Sequence, residues 1–142
     1  MPKRSGSLWK CSNCGRTFAK RNQWHSCQAR SIDVHFRNKP PHLRKTYDRL
    51  IARLRRIGPL RVDAVKTSIN LVSKYHFGGI HVRRDHLRVG FLSDRMIEES
   101  RIVRTQRLGP TTFGHSVILR GLVDVDERLM NWLKKSYTLQ SR

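Results

Sequence analysis

Leu43, Tyr47, Leu50, Ile51, Leu54 and Ile57 recur at spacings of three and four, the period that gathers side chains on one face of an α-helix. Gly58-Pro59 ends the run, so the spacing predicts an amphipathic helix over about 42–57. Its opposite face is basic, made of Arg44, Lys45, Arg49, Arg53 and Arg56. The period then changes. Lys66–Val72 reads as a first strand. Ile80 and Val82 alternate with His81 and Arg83, and Leu87, Val89 and Phe91 alternate with His86, Arg88 and Gly90. Period two belongs to a half-buried strand, and the polar Arg84-Asp85 pair between the runs predicts a hairpin with one apolar and one basic face.

Residues 95–100 read as a helical turn, while Arg101–Leu108 and His115–Arg120 read as two more strands joined across Gly109-Pro110 and a threonine pair. Asp124 followed by Glu127 resembles a capping box, in which carboxylates satisfy free amides at a helix start. Val125, Leu129, Trp132 and Leu133 supply the buried stripe of a last helix. Helix, antiparallel strands, helix is an α+β plan: a small sheet with flanking N- and C-terminal helices.

Ahead of this domain, at 42–139, three shorter stretches differ in character. Residues 1–7 are a basic tail, 8–28 carry every cysteine, and 29–41 form a basic linker that ends in Pro40-Pro41. Proline pairs stiffen a linker and start helices. There is no internal repeat and no low-complexity segment. Apolar residues make up 37% of the 142, enough for one modest core and against global disorder.

All 3 cysteines fall within residues 11–27, and an odd number in one short cluster suits a metal better than a disulfide framework. Cys11, Cys14, His25 and Cys27 follow the spacing C-x2-C-x10-H-x-C. Two thiolates, an imidazole and a third thiolate form the donor set tetrahedral Zn²⁺ prefers, and four protein donors close its shell to catalysis. One structural zinc ion is expected, with Trp9, Phe18 and Trp24 packed around it. His35 is the substitute ligand if His25 is not one, and plain reduced thiols are the alternative. The spacing departs from the two-Cys, two-His finger, whose second pair sits on a base-reading helix.

The chain holds 30 Lys and Arg against 10 Asp and Glu, a net +20. Residues 1–62 carry 16 basic and 2 acidic residues, and 63–142 carry 14 and 8, so the front is the more electropositive part. An excess this large implies a polyanionic partner. Lys10, Arg16, Lys20, Arg21 and Arg30 continue into the helical set Arg44, Lys45, Arg49, Arg53 and Arg56 as a cationic strip. Such a strip neutralises phosphates and releases counterions. Arg83 and Arg88 extend the set onto the sheet, with Arg101, Arg104 and Arg107 as further members of a second patch. Mixed arginine and aromatic surfaces favour RNA over DNA as the target, with a ribonucleoprotein such as the ribosome as one setting.

Catalytic signals are sparse. Asp63 and Lys66 fit a metal-dependent nuclease scheme only loosely, and His76, His81, His86 and His115 have no evident carboxylate or nucleophile partner. Gly78-Gly79 lacks the spacing of a nucleotide-binding glycine loop, and no small-molecule substrate is evident. A non-enzymatic, zinc-containing, nucleic-acid-binding protein is expected. A nuclease or other phosphate-ester enzyme and a module for an acidic protein partner are the alternatives. No run approaches the roughly 18 apolar residues of a membrane span, and MPKRSGSLWK lacks a secretory apolar run, so a cytoplasmic location is expected.

GPL followed by VKTSI, then FGGIHVRRDHLRVGFL, the Gly114-His115 pair and VDVDERLMNWLKKSY resemble an uncharacterised bacterial family, the domain of unknown function 5655, over about residues 42–139. The cysteine-rich preface CSNCGRTFAKRNQWHSC also resembles one carried by members of that family. The resemblance implies a small α+β domain and carries no activity onto any residue.

Overall fold

A computed structural model describes residues 8–10, 17–20 and 32–140, and the chain divides into two compact units, Met1–Ser31 and Ile32–Arg142. In the first, β1 (Trp9–Lys10) and β2 (Thr17–Phe18) pair antiparallel with Trp9 opposite Phe18. Cys11, Cys14, Trp24, His25 and Cys27 lie outside the described residues, as do Arg16, Arg21 and Arg30.

The second unit opens with α1 (Ile32–His35) and α2 (Pro41–Arg55). It takes in residues read as linker from sequence, because Ile32 and Phe36 pack against the core and the Phe36 ring lies 5.2 Å from that of Tyr47. His35 Nε2 donates to the Val65 carbonyl at 2.8 Å. Asn38 takes φ 60°, a left-handed turn conformation that asparagine tolerates better than most residues. Pro41 then starts α2 at the first helical position, where its missing N–H costs nothing. The apolar stripe Leu43, Tyr47, Leu50, Ile51 and Leu54 is buried as the period required.

Six strands follow, all antiparallel to their neighbours: β3 (Arg61–Ala64), β4 (Ile69–Val72), β5 (His76–Val82), β6 (Leu87–Ser93), β7 (Arg104–Arg107) and β8 (Phe113–Leu119). Their order in the sheet is β3-β4-β5-β6-β8-β7. The hairpin of β5 and β6 around Arg84-Asp85 stands where the alternation put it. Strand β3 was not expected. Its sequence RVDA has no apolar run, and it forms as an edge partner for β4. The expected strand start at Lys66 is instead a turn, closed by the Val65 amide on the Ser68 carbonyl at 2.9 Å. The expected helical turn at 95–100 is irregular chain anchored by partly buried Ile97 and by a bond from the buried His115 ring to the Arg95 carbonyl.

After a 3₁₀ turn at Leu122–Asp124 comes α3 (Glu127–Leu139). Its N-cap is Asp126, two residues beyond the expected Asp124. The Asp126 carboxylate accepts from the Leu129 amide at 3.0 Å and pairs with Arg101 at 2.8 Å, whereas the Asp124 carboxylate accepts from the Arg120 amide at 2.7 Å and closes the preceding turn. Both helices contribute to one core. Leu50 and Leu54 of α2 and Leu129 and Leu133 of α3 share it with Ile69, Leu71, Ile80, Val89, Phe91 and Val117 from one face of the sheet. Each such side chain contributes about 1.5–3 kcal/mol on burial. Trp132 stacks on Phe91 at 5.7 Å. Among the described residues no helix is long and apolar enough to cross a membrane.

A register shift between Leu71 and Val72 leaves Phe77 as the extra residue on β5. A bulge of this kind re-aims a side chain. Phe77 is fully buried, its ring 5.4 Å from that of Tyr137 on α3. Buried Ser136 donates to the Phe77 carbonyl at 2.7 Å and accepts from the Leu92 amide at 2.9 Å, fastening α3 to both central strands. Gly78 sits beside the bulge, where a Cβ would come within 2.6 Å of the Gly90 carbonyl oxygen; at Gly79 the nearest atom would be 3.6 Å away. Gly78→Ala is therefore expected to destabilise the second unit by about 1–3 kcal/mol, the cost of forced overpacking. Gly79→Ala should stay within about 1 kcal/mol of the parent. Urea unfolding midpoints of the two variants check the contrast.

Candidate nucleic-acid interface

With the helices on one face, strand alternation assigns the remaining positions to the other. Register aligns Asn70, Gly79, Gly90, Ser116 and Arg104 in one row across β4, β5, β6, β8 and β7. His81 and Arg88 face each other in the row to one side, and Gly114 and Gln106 lie in the row to the other. These side chains, with Ser68, His76 and Arg83, line a cavity of about 420 Å³ on the open face. Its middle is low because Gly79 and Gly90 are cross-strand partners without side chains.

Arg83 and Arg104 are exposed and Arg88 is half-buried. Among the described residues none of the three guanidinium groups has a hydrogen-bond or ion-pair partner, and none of the residues lining the cavity is acidic. Burial, and then the charges of Arg83 and Arg88, hold the His81 imidazole below its ordinary range. A neutral ring beside unneutralised guanidinium groups marks a locally positive field that lacks its counter-charge.

The acidic residues are placed elsewhere. Of the 10 in the chain, Asp33 and Asp48 pair with Arg44, Glu127 with Arg53, and Asp63 with Arg61. Asp126 pairs with Arg101, Glu99 with Arg128, Asp94 with Arg95, and Asp85 with His86 and Arg120. Several of these pairs join segments distant in sequence. Arg53, for example, also donates to the Val125 carbonyl at 3.0 Å and so ties α2 to the approach to α3.

The basic residues singled out from sequence thus divide. Arg83 and Arg88 line the cavity, and Arg104 joins them from the sheet edge. Lys45 and Arg49 on α2, and Arg56 at its C-cap, are exposed; α2 packs on the opposite, core face of the sheet, so they and the cavity arginines belong to separate surfaces. Arg44 and Arg53, on the same helix, are engaged in ion pairs. Arg101 holds Asp126, and Arg107 donates to the Gly109 carbonyl at 3.1 Å. Lys10 and Lys20 are exposed in the first unit. Asp63 is bound to Arg61 at 3.2 Å and Lys66 is exposed. Among the described residues no three His, Cys, Asp or Glu side chains converge to hold a metal ion. His115 is buried and structural, bonded to Thr105 Oγ1 at 3.2 Å.

Sequence reasoning missed the floor and the amides: Gly79, Gly90, Asn70 and Gln106. The available signal was glycine inside two strand patterns, which marks a bulge or a place where something approaches the backbone closely.

Residues 32–140 match the family described as a domain of unknown function (DUF5655), and the chain belongs to that family. The match bears out the resemblance and begins at Ile32, where the second compact unit begins. No curated protein and no solved structure matches the chain.

The environment of His81 gives a pH dependence with a definite sign. Its folded pKa lies below the unfolded value of about 6.5, so the unfolded chain binds the proton more readily. The contribution favouring the fold is full above that value and is lost as pH falls through it. NMR titration should place the His81 midpoint below 6.5, and Arg88→Gln should move it upward.

Proposed function

We propose that this DUF5655 member is a non-enzymatic, zinc-containing protein that binds nucleic acid, RNA in preference to DNA, through the open face of its sheet. One observation carries the reading. Arg83, Arg88 and Arg104 line a concave surface that is free of carboxylates, in a chain where Asp33, Asp48, Asp63, Asp85, Asp94, Glu99, Asp126 and Glu127 are ion-paired elsewhere. Guanidinium groups bind phosphate oxygens bidentately and keep their charge at every accessible pH. The preference for RNA rests on the loops, bulges and ends in which RNA exposes unpaired bases that a DNA duplex keeps stacked: a recess with amide side chains suits a base splayed from a strand.

The spacing of Cys11, Cys14, His25 and Cys27 supports a closed structural zinc site. In this reading the metal holds the front module in shape and so presents Lys10 and Lys20 as additional phosphate contacts. The cytoplasm, with ribonucleoprotein as the partner, is the matching setting.

Binding of a fluorescent single-stranded RNA should weaken steeply with salt. Arg88→Gln and Arg104→Gln should each reduce the slope of log K against log salt by about 1. Binding that ignores salt, or cellular partners that survive nuclease treatment unchanged, would favour an acidic protein partner instead. Metal analysis should find one Zn²⁺ per chain, and Cys14→Ser should remove it without lowering the unfolding midpoint of the second unit.

A further inference from the structure

We infer that the cavity on the open face takes one nucleoside phosphate, the base lying flat on the Gly79 and Gly90 backbone and the phosphate held by Arg83, Arg88 and Arg104. As the site of a nucleotide within a strand it rests on the RNA-binding reading; as a site for a free nucleotide it stands without it.

The floor is the first ground. A glycine inside a strand weakens it, since it has no side chain to pack and more backbone freedom to lose. At Gly78 the close approach of the Gly90 carbonyl explains the glycine. At Gly79 and Gly90 nothing comparable does: a Cβ would meet only ordinary contacts, the nearest at 3.6 Å and 3.7 Å, and neither backbone is left-handed. What the two glycines produce together is a bare strip of peptide, two strands wide, amid positions that carry side chains. Adjacent strands lie about 4.8 Å apart, so this strip is a flat surface of the width of a heterocyclic ring. Stacking needs such a surface and tolerates any base.

The second ground is the distribution of polar groups around that floor. Asn70 and Gln106 lie toward opposite edges of the sheet, on β4 and β7. A carboxamide has a donor and an acceptor side by side and matches the edge of a base, as Asn and Gln do with adenine. The guanidinium groups lie outside the floor, at the β5–β6 end and on β7. An inorganic anion would use the arginines and leave the floor and the amides without a role. A nucleotide uses all three. A volume of about 420 Å³ is of the size for one small ligand.

The test is a titration of the full chain followed through the backbone amide signals of Gly79 and Gly90, with nucleoside monophosphates, the matching nucleosides and inorganic phosphate as separate probes. The monophosphates should shift both signals saturably and bind at least about tenfold more tightly than phosphate or nucleoside, the loss expected when one strong contact set is missing. Gly79→Ala and Gly90→Ala, which fill the floor without touching any charge, should each weaken monophosphate binding by about tenfold or more. Monophosphates that bind no better than phosphate, or alanine variants that bind them as the parent does, would overturn the inference. If an alanine variant does not fold, the comparison of monophosphate with phosphate on the parent chain decides. RNA binding without monophosphate binding removes the pocket and leaves the RNA reading; monophosphate binding without RNA binding does the reverse and identifies a free nucleotide. Competition by strands ending in an unpaired nucleotide, absent for blunt duplex, would identify a nucleotide of a strand.

Discussion

Both long helices bury their apolar stripes against the same face of the sheet, and the rest of the molecule follows from that choice. A strand directs alternate residues to opposite faces, so once Ile80, Val89 and Val117 are committed to the core, His81, Arg88 and Ser116 have no option but the other side. Ser136 fixes the arrangement at its centre by satisfying backbone groups of both β5 and β6. Its position matters because a buried amide or carbonyl without a partner costs about 1–3 kcal/mol. The bulge at Phe77 adds an aromatic anchor at the same place.

The electrostatics follow the same division. A net charge of +20 opposes compaction by self-repulsion, and the chain offsets part of it by pairing acids with arginines where segments must be held: Arg101 on Asp126 at the start of α3, Arg53 on Glu127, Arg44 on Asp33. Exposed ion pairs of this kind contribute little individually. Their larger effect is on distribution, because each acid held there is absent from the open face, and the arginines around the glycine floor are left without a carboxylate among the cavity lining. The depressed basicity of His81 comes first from its burial and then from that local excess.

Much of this could be read from the sequence because it is local. Helix α2, the β5–β6 hairpin and the stripe of α3 each rest on a periodicity within one segment. The arginine excess and the C-x2-C-x10-H-x-C spacing are likewise properties of the string itself. Strand β3 could not be read this way, since RVDA becomes a strand only when β4 offers it hydrogen bonds. Nor could the true cap of α3, because Asp124 and Asp126 are equivalent as residues and differ only in which amides the chain brings to them.

The amino-acid sequence by itself therefore determined the α+β class, the principal elements, the large cationic excess and the candidate metal ligands, all of which are properties of the string or of neighbours along the chain. Tertiary structure alone decided which cations act together. The order β6-β8-β7 carries Arg104 from a distant segment to the face of Arg88, while burial of α2 on the core side separates Lys45 and Arg49 from both. Strand pairing across tens of residues sets those distances, and no periodicity within a segment encodes them.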